Sequence, residues 1–190
     1  MHTAESATLA YYYFDFRDIK KQDCYGLVSS LVSQLSAKWD SYYNILSRLY
    51  DKSDKDLKPD IDTLNKCLAD MLSLPRIAPI YVIIDALDEC PNFPGRRSAR
   101  DEVLELIEKL ANLKLPHVHL CVASRWEMDI RDVLEPLTTL KISLHDESGQ
   151  KQDIIEYIKY VVRSDRKIRK WKEQDKQLVV DTLSDKADGM

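Results

Sequence analysis

The sequence predicts an α/β fold: a three-layer sandwich built on a parallel sheet, followed by the start of a helical lid. Three observations lead there. Ile80–Ile84 and Val118–Ala123 are short, almost wholly apolar runs, the pattern of strands buried in a parallel sheet. Between such runs lie segments whose apolar residues recur at helical spacing. Strands alternating with helices imply βαβ crossovers, and a chain of 190 residues is long enough for one domain with a sizeable core.

Each element has its own signal. Tyr11–Phe16 is dense in aromatics and runs into Asp-Phe-Arg-Asp, a strand leading to a turn. Asp23 is placed to cap a helix whose apolar stripe is Leu27, Val28, Leu31, Val32 and Leu35. A second helical pattern runs through Tyr42, Ile45, Leu46 and Leu49, and Asp51–Asp60 reads as a charged loop. Asp62–Leu74 returns to helix, with Leu64, Cys67, Leu68, Met71 and Leu72 on one side. After the breakers Pro75 and Pro79 comes the strand Ile80–Ile84, expected to be buried on both faces. The breaker-rich Pro91–Ser98 leads into a helix over Arg100–Leu113, then the strand Val118–Ala123. Asp129–Leu134 predicts a short helix stopped at Pro136, and Leu140–Leu144 a final strand. Beyond Gly149 the periodicity is helical, through Ile154, Ile155, Ile158, Val161 and Val162. The domain boundaries follow: a core over 1–147 and a lid region over 148–190.

Composition narrows the function classes. A content of 44% hydrophobic and 32% charged residues is ordinary for a globular chain, and a net charge of −4 gives no reason to expect specific nucleic-acid binding. No apolar run approaches a membrane span, and the start lacks the basic-then-apolar layout of a signal peptide. Cys24, Cys67, Cys90 and Cys121 are widely spaced, which suggests reduced thiols in the cytoplasm rather than a zinc site or a disulfide framework. His117 and His119 lack a third ligand at metal spacing, as do His2 and His145, and read as structural. Arg96 and Arg97, and the basic stretch Lys159–Lys172, read as solvated surface.

The most informative run is Ile80-Tyr-Val-Ile-Ile-Asp-Ala-Leu-Asp-Glu-Cys90. A strand that ends in Asp85, Asp88 and Glu89 gathers charge that only a cation or solvent can compensate. The run resembles the Walker B motif of NACHT domains, signalling members of the STAND class of P-loop NTPases with the ASCE-type sheet. His117–Arg125 is similar to the following strand with its sensor Ser-Arg, and Leu9–Phe16 to the second strand, particularly of fungal members that carry repeats. Lys186–Met190 resembles a segment that in those proteins continues into another helix. A helicase motif is a poorer match, because Asp85-Ala86-Leu87 departs from its pattern.

The resemblance implies a set of roles. Asp85 would hold Mg2+ through a water, Asp88 and Glu89 would polarise the attacking water or complete the metal's outer shell, and Arg125 would sense the γ-phosphate of ATP. Ser124 would orient the nucleotide site. One part of the pattern is missing. No Gly-x-x-x-x-Gly-Lys-Ser/Thr occurs, and none of the four glycines, Gly26, Gly95, Gly149 and Gly189, precedes a lysine. The expectation is therefore a fragment of a nucleotide-dependent switch that lacks its first strand. It would hydrolyse ATP only in a longer protein supplying Walker A, and the biology implied is innate-immune-like or self/non-self recognition. The alternative is a nucleotide-independent module that self-associates or pairs with a full-length NACHT protein. Loss of the first strand would leave apolar strand edges open and the isolated chain poorly soluble.

Overall fold

A computed structural model describes residues 7–52, 58–75, 78–93, 95, 97–143 and 148–186. Arg96, Leu144, His2, His145 and residues 187–190 lie outside the described residues, as does 53–57 of the charged loop. The chain forms two compact units, Met1–Thr138 and Thr139–Met190.

The first unit is an α/β sandwich on a parallel three-stranded sheet. Its strands are β1 (Thr8–Tyr13), β2 (Ile80–Asp85) and β3 (Val118–Val122), in the order β1-β2-β3. Between β1 and β2 run α1 (Cys24–Ser36), α2 (Asp40–Lys52) and α3 (Ile61–Leu72). Between β2 and β3 runs α4 (Ala99–Asn112), and after β3 comes α5 (Met128–Leu134). Helix starts follow the capping chemistry of the sequence. Asp23 accepts the Gly26 N–H at 2.7 Å and Asp60 accepts the Thr63 N–H at 2.8 Å. Ser98 and Asp101 form a reciprocal capping box, with the Ser98 N–H bonded to Asp101 at 2.7 Å. Gly26 is needed at the start of α1, where a Cβ would come within 2.6 Å of the Lys20 carbonyl.

The predicted helical stripes are the buried ones. Leu27, Val28, Leu31, Val32 and Leu35 of α1 join Leu64, Cys67, Leu68, Met71 and Leu72 of α3 and Val103, Leu106, Ile107 and Leu110 of α4 in one core. That core lies on one face of the sheet, against Ala10, Tyr12, Ile80, Val82 and Ile84. The other face is exposed: Leu9, Tyr11 and Tyr13 on β1, Tyr81 on β2, His119 and Cys121 on β3. Burial of Ile80–Ile84 on both faces is therefore not met, since Tyr81 is 42% exposed. Topology explains it. Parallel strands laid side by side in sequence order, with crossovers of the usual right hand, receive all their connecting helices on one face.

Several boundaries shift. The first strand runs over Thr8–Tyr13 rather than Tyr11–Phe16, and α2 continues to Lys52 into the expected loop. Pro136 sits within a 3-10 turn over Glu135–Leu137 that directly follows α5.

The second unit holds α6 (Ser148–Ser164) and α7 (Glu173–Lys186), with Val162 and Val180 buried. Leu140–Ser143, at its start, is not a strand, contrary to the expectation over Leu140–Leu144. Leu140 is 76% and Ile142 69% exposed. A strand needs a ladder partner for its backbone groups, and none pairs with this run among the described residues.

Candidate functional site

The carboxyl ends of all three strands meet at the turn that follows β2. Parallel register sets Tyr13 beside Asp85, and backbone bonds carry the alignment past the strand ends. Phe14 donates to the Asp85 carbonyl at 3.0 Å, Ala123 to the Ile84 carbonyl at 2.9 Å and Leu87 to the Ala123 carbonyl at 3.1 Å. Ligand sites of open α/β sheets occupy this position. The chain leaves β2 through Ala86, whose φ of 53° is left-handed, and then forms a 3-10 turn over Leu87–Glu89. A side chain with a Cβ is strained there by roughly 1–2 kcal/mol. Asp85 Oδ1 accepts the Ala86 N–H at 2.8 Å and helps hold that conformation.

Of the residues singled out from sequence, Asp85, Asp88, Glu89, Ser124 and Arg125 all gather at this end. Their carboxylates do not converge on one point. Asp85 is exposed and forms no ion pair among the described residues. Asp88, whose side chain is only 9% exposed, turns toward β3: Oδ1 accepts the Arg125 N–H at 3.0 Å and the Ser124 hydroxyl at 3.5 Å. Arg125 Nε lies 3.5 Å from Asp88 Oδ2, while the rest of the guanidinium projects to solvent. The Ser124 hydroxyl also donates to the Arg125 carbonyl at 2.8 Å. Glu89 turns the opposite way, toward β1, where Oε2 accepts the Phe16 N–H at 3.1 Å.

Sequence reasoning missed Arg100. It is 4% exposed, in the first turn of α4, and its guanidinium serves two segments at once. Nη2 donates to the Asp88 carbonyl at 2.6 Å and Nε to the Cys90 carbonyl at 2.9 Å. Nη1 donates to Glu127 and, at 3.2 Å, to Asp129, which also takes a bond from Asn92 Nδ2 at 2.8 Å. Burial works against its charge, but the bonds to Glu127 and Asp129 outweigh burial and raise its pKa. The available signal was periodicity, because Arg100 lies three and four residues before Val103 and Leu104, on the buried stripe.

Burial pushes the Cys90 thiol up to about 12, partly offset by Arg100, and the Cys24 thiol also to about 12. The Cys90 thiol donates to the Gln22 carbonyl at 3.4 Å. The two described histidines have structural partners: a His117 ring nitrogen bonds the Leu72 carbonyl at 2.9 Å, and His119 stacks on Tyr81 at 5.0 Å. Arg97 pairs with Glu105 at 2.8 Å on the surface, and the Lys159–Lys172 stretch is largely exposed.

Among the described residues, no group of three or more His, Cys, Asp or Glu side chains is arranged to hold a metal ion unaided. A magnesium ion that borrows most of its ligands from phosphate and water needs only one or two carboxylates. Exposed, unpaired Asp85 at the end of the central strand fits that requirement. Among the described residues, no helix is long and apolar enough to cross a membrane.

No curated protein and no solved structure matches the chain. The family model described as Nephrocystin 3, N-terminal matches residues 1–125, the stretch from before β1 to the Arg125 that ends the site, and the chain belongs to that family.

Proposed function

We propose that this chain is a fragment of a NACHT-type signalling ATPase, a nucleotide-dependent switch acting in the cytoplasm. The biology implied is innate-immune-like or self/non-self recognition, as in the fungal repeat-bearing proteins. The observation that carries the reading is Asp85, an unneutralised carboxylate at the carboxyl end of the central parallel strand, with the free arm of Arg125 at the end of the next strand. Asp85 would hold magnesium through water. The ion would supply neutralisation of phosphate charge there. Arg125 would give the γ-phosphate a charge-assisted bond, with Ser124 fixing the backbone from which it projects. The phosphate-cradling loop would have to come from a longer polypeptide or a partner chain, so hydrolysis by this segment alone is not expected.

Calorimetry of Mg-ATP binding tests the reading, on the 190-residue chain and on a longer protein carrying a Walker A segment. Binding by the longer protein that Asp85→Ala abolishes is the expected result. A longer protein that binds equally well with Asp85→Ala would end the switch reading.

A second reading has its own support. The exposed sheet face and the open edge of β3 suit an interaction module that self-associates or pairs with a full-length relative, without nucleotide. Concentration-dependent association with no nucleotide binding in either protein would favour it.

A further inference from the structure

We propose that Arg100 is a positioning residue that ties the acidic turn to the segment after β3, with Asp88 and Glu89 acting as latches. Asp85, bonded only to the N–H of its own neighbour Ala86, is then the acid of the turn that can meet a ligand without releasing another strand. That last point rests on the switch reading above, whereas the latches do not.

The geometry is that of a tie rather than a ligand cluster. Two carbonyls of the turn, those of Asp88 and Cys90, point at the buried Arg100 fork, and its remaining arm reaches Glu127 and Asp129. A planar guanidinium meets these acceptors in fixed directions, which a lysine ammonium cannot reproduce. Asp88 then binds the exit of β3 through the Arg125 N–H, and Glu89 binds the exit of β1 through the Phe16 N–H. The two acids diverge to the neighbours on either side of the central strand. Each gives an oxygen to a backbone donor at the exit of a neighbouring strand, so swinging either side chain away to a metal would release that neighbour, whereas the bond of Asp85 to the Ala86 N–H stays within the turn. Asp88 and Glu89 thereby hold three strand ends in register. A ligand that pulls on Arg125 would be felt at Asp88, and through Arg100 at Glu127.

Hydrogen exchange read by mass spectrometry on the whole chain tests this, using peptides over 14–18, 86–91 and 124–129 against 80–84 and 24–36 as internal references. Arg100→Lys keeps the charge and removes the fork, so it is preferred to Arg100→Ala. It should speed exchange about tenfold over 86–91 and 124–129 and leave the references unchanged. Asp88→Ala should loosen 124–129 alone, and Glu89→Ala 14–18 alone. Unchanged exchange, or an equal rise in every peptide, would overturn the proposal, since the second pattern means only global destabilisation. A separate arm uses Mn2+ with ATP, read by electron paramagnetic resonance on the longer protein. Asp85→Asn should abolish binding, whereas Asp88→Ala and Glu89→Ala retain it. Equal loss with Asp88→Ala would overturn the division of labour. No binding by the wild type, with the exchange pattern as expected, would remove the switch reading and leave the latches standing.

Discussion

The two edge strands of the sheet are treated differently. On β1 the outward backbone of Tyr11 is closed by one side chain: Gln34 of α1 accepts the Tyr11 N–H at 3.0 Å and donates to its carbonyl at 2.7 Å. An amide side chain thus imitates the next strand, and Trp39 adds a bond to Thr8 at 3.1 Å. On β3 the outward groups of Leu120 and Val122 have no such cover among the described residues. The strand is Val-His-Leu-Cys-Val, with no acidic or lysine side chain and no proline to discourage pairing. A finished edge and an unfinished one flank the same central strand. The two edges thus differ in how their outward backbone groups are met, by Gln34 on β1 and by no described residue on β3.

The largest expected effect separates the two faces that these edges share. Ile84, 1% exposed on the covered face, should cost about 2–5 kcal/mol when changed to alanine. Ile83, one residue earlier and pointing the other way, should cost about 1 kcal/mol or less in the same denaturant titration. Equal losses would mean that the exposed face is covered in solution.

Next come the edges themselves. Gln34→Ala removes both bonds to Tyr11 and should cost about 1 kcal/mol. It should also increase concentration-dependent light scattering, because it gives the sheet a second open edge. Cys121→Lys places a charge beside the β3 edge and should reduce scattering with stability changed by only about 0.5 kcal/mol. If Cys121→Lys leaves association as it was, β3 is not the associating edge.

At the turn between the edges, Ala86→Gly should stabilise the chain by roughly 1 kcal/mol, measured as a higher Tm, by relieving the left-handed strain. A fall would show that the alanine methyl contributes more than its backbone costs. The smallest effect is in acid. Backbone N–H bonds hold the carboxyls of Asp60 and Asp101 below the usual range. Their contribution is complete above the unfolded value of about 3.9 and is lost as pH falls through the lowered folded value. Acid titration of Tm should therefore be flat near neutrality and steepen below about pH 4, less steeply in Asp60→Asn.

Helices and strands were legible wherever a single element carried its own instructions. Asp23 announced a helix start because capping acts over three residues of chain, and the Asp60 and Ser98–Asp101 caps, read only from the structure, act over the same short span. The apolar stripes of α1, α3 and α4 announced their buried sides because helical periodicity is local. The acidic site was legible in outline for the same reason, since Asp85 follows an apolar strand and Arg125 ends another. Three features were decided only by tertiary structure. Whether Ile80–Ile84 is covered on one face or two depends on which way the crossovers pass, and its composition is the same in either case. Whether Leu140–Ser143 becomes a strand depends on a ladder partner supplied from elsewhere. The directions of Asp88, Glu89 and Arg100 depend on donors and acceptors that lie between about ten and seventy residues away along the chain and meet only when the strand ends align. Periodicity and capping are properties of neighbours in sequence, whereas layers, ladders and latches are properties of neighbours in space.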